Sequence, residues 1–139
     1  MNAFSNVGLR ALLLALLLVP LAGYADDSRV VALEANNCAP LGDLRGDPEP
    51  GQKLHAEHCV ACHGVTGAAD VVVMHMDETP KDQSDPEYMQ TLSDGYLYIA
   101  ICRGGEGVGK SYVMSPWGDF FSDQEIKDLV AWIRTFSAT

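Results

Sequence analysis

Basic residues are scarce in this chain of 139 residues: Lys and Arg number 9 against 19 Asp and Glu, which leaves a net charge of −10. This scarcity argues against a nucleic-acid-binding function, because phosphates are bound by patches of basic side chains. It favours protein partners that present basic docking surfaces. The length suits one small domain, which buries a modest core and gains from a cofactor or a covalent cross-link.

Long hydrophobic runs are also missing. The apolar stretch at residues 11–22 is shorter than the roughly 20 residues that span a bilayer. It follows Arg10 and leads to a small residue at Ala25, which is the order of a secretory signal peptide. We therefore predict a signal peptide at residues 1–25, cleaved after Ala25, and a periplasmic protein with no stable membrane insertion after cleavage. The alternative is an uncleaved membrane anchor.

Cysteine is limited to four residues, and two of them stand in the sequence Cys59-Val60-Ala61-Cys62-His63. This C-x-x-C-H spacing is typical of haem c attachment, in which both thiols bond one haem and the histidine binds its iron from the proximal side. A structural zinc site would need four ligands, and a thioredoxin-like dithiol would need a βαβ context. No second haem motif is present. The motif predicts one covalent haem c held by Cys59, Cys62 and His63.

The two remaining cysteines are Cys38 and Cys102. Because two cysteines are left once the haem motif is assigned, and an exported protein meets an oxidising compartment, a disulfide between them is favoured. This bond would tie the N-terminal part of the chain to the helix before a Gly-rich loop. Buried free thiols and an intermolecular bridge remain open at this point, because sequence alone does not give the distance between the two residues.

A haem iron held by His63 needs a second axial ligand or stays open. Met114 is the first candidate, because it lies in a Gly-rich loop just before the last helix, and a thioether raises the reduction potential of the iron. The alternative is that Met114 fills a gap in the core, which is the usual role of methionine. Other residues that could supply a ligand are Met74, Met76, Met89, His55, His58 and His75.

The chain predicts several helices. A first helix begins near Pro50, since proline is tolerated in the first helical turn, and a short helix covers Glu87 to Leu92. Another helix has Asp94 as its N-cap and ends at Gly104-Gly105, which suit a C-cap with a left-handed backbone conformation. The last helix follows the capping box from Ser122 to Glu125, and its apolar residues recur at helical spacing. Residues 26–49 show no period and are predicted to be an irregular N-terminal extension. Three aromatic residues are expected to pack against haem or core: Trp117, Phe120 and Phe121.

From residue 50 to residue 139 the chain resembles the class I cytochromes c, in their bacterial periplasmic branch. The matching pieces are Gly51 to Gly64, which contain the haem motif, then Met114 to Gly118, then Ser122 to Ile126 with the final helix. The chain departs from the family at Ser115, where the family commonly has a proline; here the proline is Pro116.

The resemblance implies an all-α, cytochrome c-like domain of about four helices wrapped around one covalent haem. It implies that Met114 is the distal axial ligand. It also implies that the first and last helices cross at Gly51, which would meet the apolar face formed by Leu129, Trp132 and Ile133. The haem edge near the cysteines would be the docking surface.

These observations lead to an electron carrier rather than an enzyme. An iron held by His63 and Met114 has no open position for a substrate, so it exchanges single electrons with donor and acceptor redox proteins. The alternative is a haem subunit that accepts electrons within a periplasmic oxidoreductase complex. A third hypothesis is an enzyme or gas sensor with an open iron, but no distal His-Arg pair for oxygen activation is recognisable.

Overall fold

The computed structural model describes residues 38–39, 42–70, 76 and 78–138, and within them it is helical with no strand. The predicted signal peptide, its cleavage site after Ala25, and the candidate ligands Met74 and His75 lie outside the described residues. The described helices are α1 (Pro48–His58), α2 (Val60–His63), α3 (Pro86–Met89), α4 (Asp94–Arg103), a 3₁₀ turn (Glu106–Val108) and α5 (Asp123–Phe136). The predicted all-α fold is confirmed. In this part of the chain no helix is both long and apolar enough to cross a membrane.

The first helix begins at Pro48, slightly before the position predicted from sequence. Asp47 is its N-cap, and the Asp47 carboxylate accepts a hydrogen bond from the backbone N–H of Glu49 at 3.0 Å. The backbone N–H of Asp47 also donates to the carboxylate of Asp128 in α5 at 2.8 Å, and Leu44 packs against the core. The chain just before α1 therefore rests on the helical domain. The division into an extension and a domain at residue 50 stays a prediction.

Helices α1 and α5 cross at Gly51. A Cβ built at Gly51 would overlap the carbonyl oxygen of Asp128 and would lie 3.0 Å from the backbone nitrogen of Leu129. The crossing predicted from the family resemblance is therefore present, and the atoms nearest to Gly51 belong to the Asp128–Leu129 peptide. Only a residue without a side chain lets the two backbones approach this closely.

The core lies between α4 and α5. Its buried residues include Leu97, Tyr98 and Ile101 from α4 and a stripe from α5: Ile126, Leu129, Val130 and Ile133. The capping box predicted at the start of α5 is confirmed, because the Ser122 hydroxyl and the Glu125 carboxylate each accept a hydrogen bond from the backbone N–H of the other residue.

Three helix limits differ from the sequence predictions. Ser93, not Asp94, caps α4, since its hydroxyl accepts from the backbone N–H of Tyr96 at 3.1 Å. The short helix α3 begins at Pro86 and ends at Met89, after the cap Asp85. Gly104 has the predicted positive φ of 70°, but its ψ of −177° is extended and not left-handed helical.

Candidate functional site

The predicted site residues line one cavity of about 280 Å³: Cys59, Cys62, His63 and Met114. Its walls also contain apolar side chains from α4, α5 and the turn before α4, namely Leu92, Leu97, Ala100, Ile101, Leu129 and Ile133. The cavity therefore combines a few convergent ligand groups with an apolar lining, which is the usual composition of a cofactor site.

The cysteine and histidine side of the cavity is built by the end of α1 and the single turn of α2. Cys59 is the C-cap of α1, and its backbone N–H donates to the carbonyl of His55 at 2.9 Å. The backbone N–H of His63 then donates to the carbonyl of Cys59 at 2.9 Å. This turn places Cys59, Cys62 and His63 at positions i, i+3 and i+4, which share one face of a helix.

The thiols of Cys59 and Cys62 are free, whereas Cys38 and Cys102 form a disulfide with a Cα–Cα distance of 5.6 Å. The predicted disulfide is thus present in the structure. Because Cys38 and Cys102 are used in this bond, they cannot complete a four-thiolate zinc site. Among the described residues, no group of three His, Cys, Asp or Glu side chains is placed to hold a metal ion.

Burial keeps the Cys59 thiol in its protonated form. Burial, with a smaller contribution from the neighbouring Cys62, raises the pKa of Cys59 to about 11. A reactive dithiol of the thioredoxin kind works through a thiolate with a lowered pKa. The environment of Cys59 has the opposite effect, so it disfavours a dithiol oxidoreductase site.

His63 is held as a neutral imidazole, because burial lowers its pKa below the usual value of 6.5. Its Nδ1 atom is buried and makes no hydrogen bond to any of the described residues. Neutral imidazole is the form of histidine that binds a metal through a ring nitrogen. His63 is therefore in the protonation state that an axial ligand requires.

Met114 reaches the cavity from a loop that is hydrogen-bonded to the C-terminal end of α4. The carbonyl of Met114 accepts from the backbone N–H of Gly105 at 2.9 Å. Beyond the methionine, the N–H of Trp117 donates to the carbonyl of Ile101 at 3.1 Å. Met114 itself is half-buried. On the N-terminal side, the backbone N–H of Lys110 donates to the carbonyl of Gly105 at 2.8 Å. The loop is thus fixed on both sides of the methionine, and the Met114 side chain lines the cavity.

Several of the other candidate ligands also line the cavity, but most are engaged elsewhere. Met89 is 1% exposed and belongs to the hydrophobic core. His55 is 2% exposed, and its ring contacts the edge of Phe136 at a centroid distance of 5.2 Å. His58 contacts Trp117 and Phe121. Met76 lines the cavity as well, so it is the methionine that competes most directly with Met114.

The aromatic residues after Met114 divide into two kinds. Trp117 stacks on the buried Phe121 with ring centroids 5.0 Å apart and an interplanar angle of 7°, as expected. Phe120 is 68% exposed, so the expectation that it packs into haem or core is wrong. Its ring meets the edge of Trp117 at a centroid distance of 6.0 Å, and its backbone N–H donates to the carbonyl of Trp117 at 2.9 Å in the turn before α5.

Sequence reasoning did not single out Lys81 and Gln83, which also line the cavity. They lie in an irregular stretch whose apolar residues follow no helical or strand spacing, so the sequence does not predict where their side chains lie. The one available signal was their place in the loop between the C-x-x-C-H motif and the next helix, since connecting segments often contribute to binding sites.

The family model for cytochrome c matches residues 48–137, which is more than half of the chain. No curated protein matches the chain. The matched range contains the C-x-x-C-H turn, the methionine loop and all the described helices. The chain belongs to the cytochrome c family, whose members bind haem c covalently and transfer electrons through it.

Proposed function

We propose that this chain is a monohaem class I cytochrome c of the bacterial periplasmic branch, and that it carries single electrons between redox proteins. The observation that carries the proposal is that Met114 lines the same cavity as Cys59, Cys62 and His63, although it lies in a different part of the chain. The two cysteines would form thioether bonds, and His63 and Met114 would be the axial ligands.

The residues present fit this cofactor on three grounds. The two thiols are free and one helical turn apart, burial lowers the pKa of the half-buried His63, and most of the cavity wall is apolar. Haem c, when bound, supplies an iron that alternates between the ferric and ferrous states. The thioether of Met114 favours the ferrous state, and the apolar wall keeps water away from the iron.

A carrier, not an enzyme, follows from this ligand set. His63 and Met114 would occupy both axial positions, which leaves no position for a substrate. The third hypothesis, an enzyme or sensor with an open iron, requires that Met114 does not bind. The hydrogen bonds that hold the loop on both sides of Met114 support its role as a ligand.

The net charge of −10 supports partners with basic docking surfaces. The donor and the acceptor would therefore be redox proteins that meet this chain in short-lived encounters, in the periplasm. The alternative, a tightly held subunit of an oxidoreductase complex, would gain support from an extension that packs outwards. The described residues just before α1 instead pack inwards, onto α5.

The test is the absorption spectrum of the haem-loaded protein, compared between wild type, Met114→Ala and the matched control Met76→Ala. We expect low-spin, covalently attached haem with a sulfur-to-iron band in the wild type. The band should be lost in Met114→Ala and kept in Met76→Ala. Loss of the band only in Met76→Ala would move the axial ligand to Met76. A wild type that is high-spin, or that binds carbon monoxide readily, would support the open-iron hypothesis instead.

A further inference from the structure

The disulfide between Cys38 and Cys102 lies directly beneath the methionine loop. Cys102 is the second-last residue of α4 and is 1% exposed. Gly118 packs against the bond so closely that a Cβ built at Gly118 would lie 2.6 Å from the sulfur of Cys102 and 2.9 Å from the sulfur of Cys38. Gly118 does not have a positive φ, so the need for glycine there comes from close packing, mainly against the two sulfur atoms and also against the Cys102 carbonyl oxygen at 3.0 Å.

The same end of α4 holds both sides of the loop. The backbone N–H of Gly118 donates to the carbonyl of Cys102 at 2.9 Å. On the other side of Met114, the backbone N–H of Lys110 donates to the carbonyl of Gly105 at 2.8 Å, just beyond the end of α4. The loop thus leaves and rejoins α4 within a few residues of Cys102, and the disulfide fixes that part of the helix to the chain before α1.

We propose that the Cys38–Cys102 disulfide, acting through its contact with Gly118, positions the Met114 sulfur in the cavity. This inference rests on the proposed role of Met114 as the distal ligand. Without the bond, Gly118 loses the two sulfur atoms on which it packs, and the end of the loop can move away from α4. A methionine on a looser loop spends less time in the ligating position and yields more readily to an external ligand.

A merely structural role would look different. If the disulfide only stabilises the fold, its removal would lower the free energy of unfolding without changing the competition between Met114 and an added ligand in the folded protein. The two roles therefore separate when ligand competition is measured under conditions where every variant is folded. The N-cap substitution Ser93→Ala supplies the matched control, because it destabilises the same helix at its opposite end.

The experiment measures the concentration of imidazole that displaces the sulfur ligand by half in the ferric, haem-loaded protein, followed through the sulfur-to-iron band. The variants are Cys38→Ala/Cys102→Ala, Gly118→Ala, the combination of these, and Ser93→Ala. We expect the double-cysteine variant and Gly118→Ala each to lower this concentration by about tenfold, while Ser93→Ala changes it by less than about twofold. In the combination, Gly118→Ala should add little, because its Cβ no longer meets the two sulfur atoms.

Each outcome decides one point. If the band is present in the wild type and lost in Met114→Ala, while the cysteine and Gly118 variants shift the midpoint no more than Ser93→Ala does, the positioning role is wrong and the proposed ligand stands. If the wild type has no sulfur-to-iron band, the proposed ligand is wrong, and the positioning role falls with it. Should the double-cysteine variant fail to fold, Gly118→Ala alone decides, because it retains the disulfide.

Discussion

Gly51 in α1 lies against the backbone carbonyl of Asp128 in α5, with no room between them for a Cβ atom. A second glycine, Gly46, makes the same kind of approach to the carbonyl of Lys127, one residue earlier in α5. Both obstacles are backbone atoms of a helix and not the movable end of a side chain. The packing of the chain around α1 onto α5 therefore depends on the absence of side chains at these two positions.

Gly51→Ala should lower the free energy of unfolding by about 2 kcal/mol or more, because the methyl group forces two helix backbones apart. Gly95→Ala is the matched control, since Gly95 is also inside a helix but its built Cβ meets nothing closer than 3.8 Å. The control should be neutral or stabilising by about 0.5–1 kcal/mol, the usual gain when alanine replaces a helical glycine.

Denaturant unfolding of the haem-loaded protein measures both changes. If Gly51→Ala costs no more than Gly95→Ala, α1 and α5 do not approach as closely as the structure describes. The difference between the two changes in the free energy of unfolding matters more than either value, because both substitutions carry the same intrinsic gain in helix propensity, which cancels in the difference.

Local features of this chain were predictable from its sequence, and features that depend on contacts between distant residues were less so. The capping box from Ser122 to Glu125 involves residues three apart, so its residues alone predict the start of α5. Ser93 and Asp94 are both good cap residues, and only the fold selects Ser93. The exposed position of Phe120 also follows from the turn before α5, which composition does not reveal.

The candidate site shows the same division. The C-x-x-C-H motif places Cys59, Cys62 and His63 together within one turn, so their shared face was expected from spacing. Which methionine faces that turn depends on how the loop rests on the end of α4, many residues away. The family resemblance supplied Met114 in advance, whereas the contact between Gly118 and the disulfide had no signal in the sequence.

Arg134 in α5 holds the turn between α3 and α4. Its Nη1 and Nη2 atoms donate to the carbonyls of Met89 and Leu92 at 2.7 Å and 2.6 Å, and its Nε atom donates to the carboxylate of Asp94 at 2.7 Å. A guanidinium group suits this arrangement because it presents several N–H donors in one plane. Met89 and Leu92 also line the cavity, so this contact supports one wall of the site.

Arg134→Met should lower the free energy of unfolding by about 1–3 kcal/mol, because two part-buried carbonyl groups lose their donors. Asp94→Asn removes only the ionic part of the contact at a half-exposed pair, and should cost at most about 1 kcal/mol. Thermal or denaturant unfolding of the two variants gives the comparison. Equal losses would mean that the ion pair, and not the pair of carbonyl contacts, is the stabilising element.

His55 is a buried histidine whose Nε2 atom makes no hydrogen bond to the described part of the chain. Burial, with a smaller contribution from the nearby His63, lowers the pKa of His55 from 6.5 to about 4. The unfolded chain therefore binds a proton at this residue near pH 6.5, whereas the folded protein does so only near pH 4. The contribution of neutral His55 to the free energy of unfolding is fully present above pH 6.5 and is lost as the pH falls towards 4.

Replacing His55 with leucine should therefore flatten the loss of stability between pH 7 and pH 4, by up to about 3 kcal/mol at the acid end. Carboxylates titrate in the same range, so the informative quantity is the difference between the wild-type and His55→Leu unfolding free energies at each pH. Ser93→Ala is the control, because it removes a helix cap without removing a titrating group, and its curve should run parallel to the wild type. A His55→Leu curve that is also parallel to the wild type would show that His55 has the same pKa in the folded and unfolded chain.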